Sequence, residues 1–193
     1  NLGVSLFQQN NTPLQFKLGF MKIQFADSDG LEGKWTHIAI TISKRDRVVK
    51  CYLNGELVAT KSVDESINIT DHLAGDYAIG RSDLNNNPFK GDIARLSVWG
   101  KVLTSNEINA DRNDGNSVSE NLKICLVADS VTSGTLRDVS GGGRDVLIPR
   151  STTFVPLPFT EHALLGAKDL GVRLSADVSS GKITMAMGFL LLE

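Results

Sequence analysis

The feature that most constrains the fold is the dipeptide Asn54-Gly55, which lies between two strand-like runs. In the run before it, 48–53, apolar and polar residues alternate, as they do in a half-buried β-strand. Asn and Gly both tolerate the positive φ angles of a two-residue type I′ turn, a turn that joins neighbouring antiparallel strands. The sequence therefore predicts a β-hairpin whose return strand is 56–63.

Similar strand patterns recur along the chain and are separated by polar turns. The segment 14–20 alternates with period two, and Ile38, Ile40 and Ile42 share one face of another strand. We expect one short helix, at 105–112, because Thr104 and Glu107 have the spacing of a capping box. Many short strands with a single helix are typical of an all-β sandwich of antiparallel sheets.

Charge and hydropathy exclude two classes of partner. The 193 residues carry a net charge of −2, and no block of like charges would attract nucleic acid or an anionic lipid surface. No apolar run approaches the roughly 20 residues that a membrane-spanning helix needs. We therefore expect neither nucleic-acid binding nor a membrane span.

Five blocks between Gly33 and Ile108 resemble laminin-G-like and pentraxin domains. They are GKWTHIAI at 33–40, CYLNGELVA at 51–59, IG at 79–80, FKGDI at 89–93, and a last block at 98–108 that begins VWGKVLT. The resemblance implies a concanavalin A-like jelly-roll sandwich of two antiparallel sheets, formed by 1–112. Fewer residues than usual precede the Trp35 strand, so either N-terminal strands are missing or the C-terminal region takes their places.

The rest of the chain, 121–193, is expected to form a C-terminal β region. The segment 126–147 resembles a sequence motif that borders laminin-G-like domains, and we expect it to add outer strands to the sandwich. Beyond it, 170–178 and 183–191 both alternate and flank a Ser-Ser-Gly turn, which predicts a C-terminal β-hairpin.

The last strand of that hairpin becomes apolar on both faces towards its end, which allows two interpretations. It either closes the sandwich or is an assembly strand against a neighbouring subunit, since an exposed apolar edge invites pairing. In the second case the chain is a homo-oligomer or part of a larger assembly. The assembly residues would be Ile183, Met185, Met187, Phe189 and Leu191.

The sequence offers no catalytic constellation, so we predict that the protein is not an enzyme. It lacks a Gly-x-Ser-x-Gly elbow, a His-Glu-x-x-His pair and a phosphate-binding glycine loop. Asp27 and Asp29 have the spacing of a glycosidase pair, but Ser28 and Gly30 make the segment a turn. His37 lies opposite the apolar face of its strand, which predicts a structural role.

The loop 81–90 is the candidate for a ligand site and a metal site. Its amides and one aromatic ring suit a glycan or protein ligand, and the ligand-binding residues would be Asp83, Asn85, Asn86, Asn87 and Phe89. Calcium prefers clustered oxygen ligands, which predicts a calcium site at Asp83 and Asp92. The competing interpretation is a solvated loop of ordinary Asx turns, and Ala94 stands where the laminin-G pattern commonly has an acidic residue.

These observations favour a lectin-like, non-catalytic recognition module of a secreted or surface-displayed protein, with a glycan or protein ligand. The alternative is a structural protein of a large assembly, such as a virion or phage capsid or appendage, with an exposed jelly-roll lobe. The first function places the protein outside the cell or on a surface, and the second places it in a virion. Cys51 and Cys125 fit either two buried thiols or one disulfide bridge.

Overall fold

The structure, a computed structural model, describes residues 4–7, 13–27, 31, 33–73, 76–79, 91–114, 118–148, 153–156, 163–166, 172–175 and 182–191. The strands are β1 (Val4–Phe7), β2 (Leu14–Leu18), β3 (Met21–Ala26), β4 (Trp35–Ser43), β5 (Val48–Leu53), β6 (Glu56–Ser62), β7 (Asp76–Ile79), β8 (Gly91–Trp99), β9 (Leu122–Thr132), β10 (Thr135–Asp138), β11 (Val146–Leu147), β12 (Thr153–Pro156), β13 (Ala163–Gly166), β14 (Val172–Ser175) and β15 (Lys182–Leu191). The helices are α1 (Ile69–Leu73) and α2 (Ser105–Asp114).

Antiparallel sheets make up the sandwich. One sheet has three strands in the order β1-β2-β3. The other has ten strands; its main path runs β11-β10-β9-β8-β15-β4-β5-β6, and the pair β12-β13 joins it at β8. Strands β7 and β14 form a separate pair. The predicted all-β jelly-roll class is confirmed.

The main core lies between the three-stranded sheet and one face of the ten-stranded sheet. In β3 the burial alternates residue by residue, so Ile23 points inward while Lys22 and Gln24 are exposed. Phe16 of β2 and Ile40 of β4 belong to the same buried cluster, which joins the two sheets. Period-two patterning therefore specifies the layer that each residue faces.

The hairpin β5–β6 forms as the dipeptide predicts. Asn54 and Gly55 have φ angles of 49° and 85°, and Leu53 pairs with Glu56 across the turn. A Cβ atom on Gly55 would lie 2.0 Å from Oδ1 of Asn109 in α2. Glycine is thus required both by the backbone conformation and by the helix that packs on the turn.

Helix α2 confirms the capping box, whereas α1 was missed. The Glu107 amide donates to Thr104 Oγ1 at 3.3 Å, and the Thr104 amide donates to Glu107 Oε2 at 2.8 Å. The prediction of a single helix is wrong, because α1 follows Asn68, whose Oδ1 accepts from the Thr70 amide at 3.2 Å. A five-residue helix is too short to show helical periodicity in the sequence.

A second, smaller core forms where α2 covers the outer face of the ten-stranded sheet. Trp99 is fully buried there with Tyr52, Leu103 and Ile108. The Trp99 Nε1–H donates to the backbone oxygen of Val118 at 2.8 Å. This hydrogen bond ties the chain after α2 to the buried ring. The big sheet is therefore covered on both faces over its central strands.

The expected C-terminal hairpin does not form. Strand β14 pairs with β7, while β15 inserts between β4 and β8 and pairs with both. A strand that is apolar at consecutive positions suits the centre of a sheet covered on both faces, which is why β15 takes this place. Strands β9 to β11 extend the same sheet beyond β8, so 1–112 and 121–193 contribute strands to one sheet.

The same pairing bears on the assembly prediction. Its five positions, Ile183, Met185, Met187, Phe189 and Leu191, all lie in β15. Both edges of this strand are occupied within the chain, so it has no free edge for pairing with a neighbouring subunit, and assembly at these positions stays a prediction. In register, the first three of these positions stand opposite Ile42, Ile40 and Ile38, which line the main core.

Candidate functional site

The loop singled out from the sequence joins β7 to β8. The predicted ligand-binding residues lie outside the described residues; they are Asp83, Asn85, Asn86, Asn87 and Phe89. Asp92, the second residue of β8, is described, and its cross-strand partners are Leu190 of β15 and Gly166 of β13. Its side chain is buried, with 6% of the residue exposed, and this burial raises the pKa of its carboxyl group.

The described residues do not by themselves fit a calcium site. Among them, no group of three His, Cys, Asp or Glu side chains could hold a metal ion. Asp92 contributes one carboxylate, whereas calcium takes about six to eight oxygen ligands. A calcium site at Asp92 would therefore need further oxygen ligands, and the one predicted from the sequence, Asp83, lies outside the described residues.

The most deeply buried ion pairs link α2 to the outer face of the sheet. Asp111 Oδ2 lies 3.3 Å from His37 Nε2, and Asp111 Oδ1 lies 2.8 Å from an Arg95 guanidinium nitrogen. The contact with Arg95 lacks hydrogen-bond geometry, so it is a charge contact. Gly188 of β15 is the cross-strand partner of both His37 and Arg95, and as a glycine it has no side chain between them.

This cluster holds α2 in place and has no features of an active centre. The Asp111 side chain is 3% exposed, and those of His37 and Arg95 are also largely covered, so a substrate has no access to them. His37 Nδ1 and Arg95 Nε are buried without hydrogen-bond partners. The structural role expected of His37 agrees with this geometry.

The Asp-x-Ser-Gly turn after β10 uses its carboxylates to bind backbone. Asp138 Oδ1 accepts from the amides of Cys125 at 2.9 Å and Ser140 at 3.1 Å, and Oδ2 accepts from the Arg144 amide at 3.1 Å. The Asp138 amide donates to Asp145 at 2.9 Å, and this bond lowers the pKa of Asp145. These acids fold the turn and leave little capacity for a ligand.

The two cysteines are separate. Cys51 and Cys125 are free thiols, both buried, so the alternative of a disulfide bridge is wrong. Burial raises the pKa of Cys51 to about 12, which makes it an unreactive core residue.

A further surface feature, the edge cleft, was not predicted from the sequence. It is a shallow, open depression of about 720 Å³ between the β2–β3 turn and the segment after β6. Its lining residues are Phe20, Met21, Lys22, Lys61, Ser62, Val63, Asp64, Glu65 and Ile67. The sequence places these residues in two distant segments, and only the stacking of the two sheets brings them together.

The described part of the chain is therefore a two-layer antiparallel β-sandwich whose buried polar groups mostly hold turns and a helix. None of the described helices is long and apolar enough to cross a membrane. This is the architecture of a jelly-roll binding domain.

The family assignment follows from residues 1–109, which match the laminin G profile described as the concanavalin A-like lectin/glucanases superfamily. The chain belongs to this superfamily. Its laminin-G-like domains are in general carbohydrate- or protein-binding modules, are generally non-catalytic and often bind calcium. Searches of curated proteins and of solved structures gave no significant match.

Proposed function

We propose that the protein is a non-catalytic recognition module that binds a glycan or protein ligand outside the cell or on a cell surface. The observation that carries this proposal is the superfamily match over 1–109 together with a sandwich whose sheets are antiparallel. Laminin-G-like domains are typically extracellular, which supports the proposed location.

The state of the buried acids supports a function without catalysis. Glycoside hydrolysis requires two carboxyl groups on either side of one bond. In the described residues the buried acids are Asp92, Asp111 and Asp138. Asp111 contacts the Arg95 guanidinium and the His37 ring, and Asp138 accepts from backbone amides, so neither is available as a catalytic acid or base.

The proposed ligand site includes the loop before β8, with Asp83, Asn85, Asn86, Asn87 and Phe89. Calcium held by Asp83 and Asp92 would neutralise a buried carboxylate. The burial of Asp92 supports this, because a buried carboxylate is costly unless a cation or hydrogen-bond donors compensate its charge.

The function is tested by screening the purified chain against immobilised oligosaccharides and extracellular proteins, with calcium and with chelator. We expect retention of a glycan or protein without release of reducing ends from any glycan. Release of reducing ends at catalytic rates would contradict the proposal, as would the absence of any ligand in both screens.

The alternative function, a structural protein of a virion or phage appendage, has lost its main support. It drew on an apolar C-terminal hairpin whose last strand could pair with a neighbouring subunit, and β15 instead pairs with β4 and β8 of the same chain. We therefore do not propose an assembly role for this strand.

A further inference from the structure

Phe20 lines the edge cleft, and its ring is largely exposed to solvent. The residue is 70% exposed at the tip of the β2–β3 hairpin. Gly19 beside it has a φ of 59°, and a Cβ atom there would lie 2.7 Å from Nε2 of the buried His72 in α1. The backbone of the tip is therefore packed directly on α1, and the Phe20 ring next to it is available at the surface.

The opposite wall, formed by 62–67, is held by hydrogen bonds from Arg47 to its backbone. Arg47 donates from Nε to the Val63 oxygen at 3.3 Å and from Nη2 to the Ile67 oxygen at 3.1 Å, and it also bonds to the Asp64 oxygen. Between the walls, Met21, Val63 and Ile67 form a buried apolar floor. The backbone of both walls is thus held in place, which reduces the entropy cost of binding a ligand.

The polar groups of the cleft balance in charge. Lys22 and Lys61 bring two ammonium groups to the lining of the cleft, and Asp64 and Glu65 bring two carboxyl groups. Hydrogen bonds from Ser66 lower the pKa of Asp64, so that carboxylate is ionised at neutral pH. A ligand with strong charge of either sign would gain from one pair and be repelled by the other.

A sugar ring has the complementary chemistry. Each hydroxyl both donates and accepts hydrogen bonds, so it can use ammonium donors and carboxylate acceptors in the same cleft. The apolar face of a pyranose ring can lie against an exposed aromatic ring such as Phe20, which offers flat apolar area at low conformational cost. An uncharged pyranose therefore fits this combination better than a charged ligand.

An extended peptide fits less well, although both walls border edge strands. Within the described residues, β3 and β6 each pair on one side only, and a peptide could add a strand to such an edge. The Lys22 carbonyl at this edge already accepts from Lys61 Nζ at 2.7 Å. Lys61 is the cross-strand partner of Val49 and so lies on the face of β6 that faces the three-stranded sheet, although its side chain is exposed. A bulge also interrupts β6 near Val58, and both features oppose strand addition.

We propose that the edge cleft binds an uncharged pyranose sugar, with Phe20 as the stacking platform and the four charged side chains as hydrogen-bond partners. This inference rests on the proposed recognition function and gives it a second site, away from the loop before β8.

The test uses the full chain on an array of immobilised uncharged glucans, galactans, mannans and xylans, with sulfated and sialylated glycans and extracellular proteins as further arms. For the best uncharged binder, Phe20→Ala should weaken affinity at least roughly tenfold, while Phe20→Tyr stays within about threefold. Leu147→Ala is the matched control, because Leu147 is 81% exposed in β11 at the opposite end of the ten-stranded sheet. The affinity of this variant for the same glycan should equal that of the unchanged chain.

Each other outcome overturns a distinct statement. If an uncharged sugar binds but Phe20→Ala leaves affinity unchanged, the cleft is not its site, and the recognition function stands. If Phe20→Ala abolishes binding only of a charged glycan or a protein, the ligand class is wrong. If no arm of the array binds, the recognition function fails together with the cleft.

Discussion

At the scale of single residues, the strongest constraints come from two kinds of position. One is a glycine whose backbone has positive φ, and the other is a buried carboxylate in contact with other charged or polar side chains. Gly55 has positive φ and lies against Asn109, whereas Gly134 has a φ of 77° and open space within 4 Å of where a Cβ atom would lie. Both glycines have positive φ, but only Gly55 has a close neighbour, so comparing them distinguishes the cost of backbone strain from the cost of a packing clash. Among the charged residues, Asp111 is the example of the second kind of position, because its one buried carboxylate contacts both His37 and Arg95.

The glycine pair gives a prediction about the hairpin. Gly134→Ala should lower the free energy of unfolding by about 1–2 kcal/mol, which is the cost of left-handed backbone for a residue with a Cβ. Gly55→Ala should cost about 1 kcal/mol more, because Asn109 must move and give up its 3.0 Å bond to the Ser105 oxygen. Urea denaturation measures both values. In an Asn109→Ala background the two substitutions should cost the same, and a persisting difference would contradict the packing explanation.

The buried cluster gives a prediction about charge. Asp111→Ala should destabilise the fold by roughly 2–4 kcal/mol, because it leaves Arg95 largely buried without a counter-charge. Glu120→Ala is the control: its carboxylate binds Lys101 at 2.6 Å but is 76% exposed, so the loss should be about 0–1 kcal/mol. Equal effects of the two substitutions in denaturant titrations would show that burial is not the deciding factor.

At the scale of elements, α2 and β15 represent two ways in which structure is specified. The start of α2 is fixed by neighbours in sequence, Thr104 and Glu107. The place of β15 is fixed by β4 and β8, which precede it by many residues. The prediction for α2 therefore tests a local contact, and the prediction for β15 tests pairing between distant segments.

The capping box should make α2 stability depend on pH. Hydrogen bonds from Lys101 and then from Thr104 lower the pKa of Glu107 below its ordinary value of 4.5. A depressed folded-state pKa contributes stability that is present above pH 4.5 and is lost as the pH falls through the folded-state value. Glu107→Gln should remove this part of the acid dependence in thermal melts between about pH 3 and pH 6. An unchanged acid profile would mean that neither the Lys101 ion pair nor the capping box is formed in solution.

The central position of β15 predicts that the C-terminus is needed for folding. Removal of 188–193 eliminates the end of the strand that pairs with Trp35, Thr36 and His37 on one side and with 91–95 on the other. Exposed edges and an opened core should abolish the cooperative thermal transition seen by circular dichroism. Removal of 192–193 alone is the control and should leave the transition intact. A cooperative melt for the longer deletion would contradict the register.

At the scale of the whole molecule, the question is whether a cation joins the loop before β8 to the sandwich. If calcium binds there, a concentration about 100 times its Kd should stabilise the fold by about 2.7 kcal/mol, visible as a higher Tm than in chelator. Asp92→Asn should abolish this calcium response and, without calcium, should not lower the Tm, because the amide carries no charge to bury. No calcium effect on the unchanged chain at millimolar concentration would refute the site.

The sequence alone determined what depends on neighbouring residues. Alternation identified the faces of β4 and β5, Asn54-Gly55 identified the turn between β5 and β6, and the capping box identified the start of α2. Each of these features follows from the φ angles, the side-chain period or a hydrogen bond within a few residues, and each is present in the structure. The blocks from Gly33 to Ile108 identified the superfamily for the same reason, since they are local strand and turn signals in a fixed order.

Only the tertiary structure decided which strands that lie far apart in sequence are neighbours in the sheets. The pattern of β15 shows which residues share a face, but it contains no information on the strand at either edge, so a closing strand and an assembly strand looked alike. The edge cleft and the Asp111 cluster depend on the same long-range choice, because each combines residues from segments far apart in sequence. Pairing and layer stacking are settled by the burial of the complete core, which no single segment of the sequence encodes.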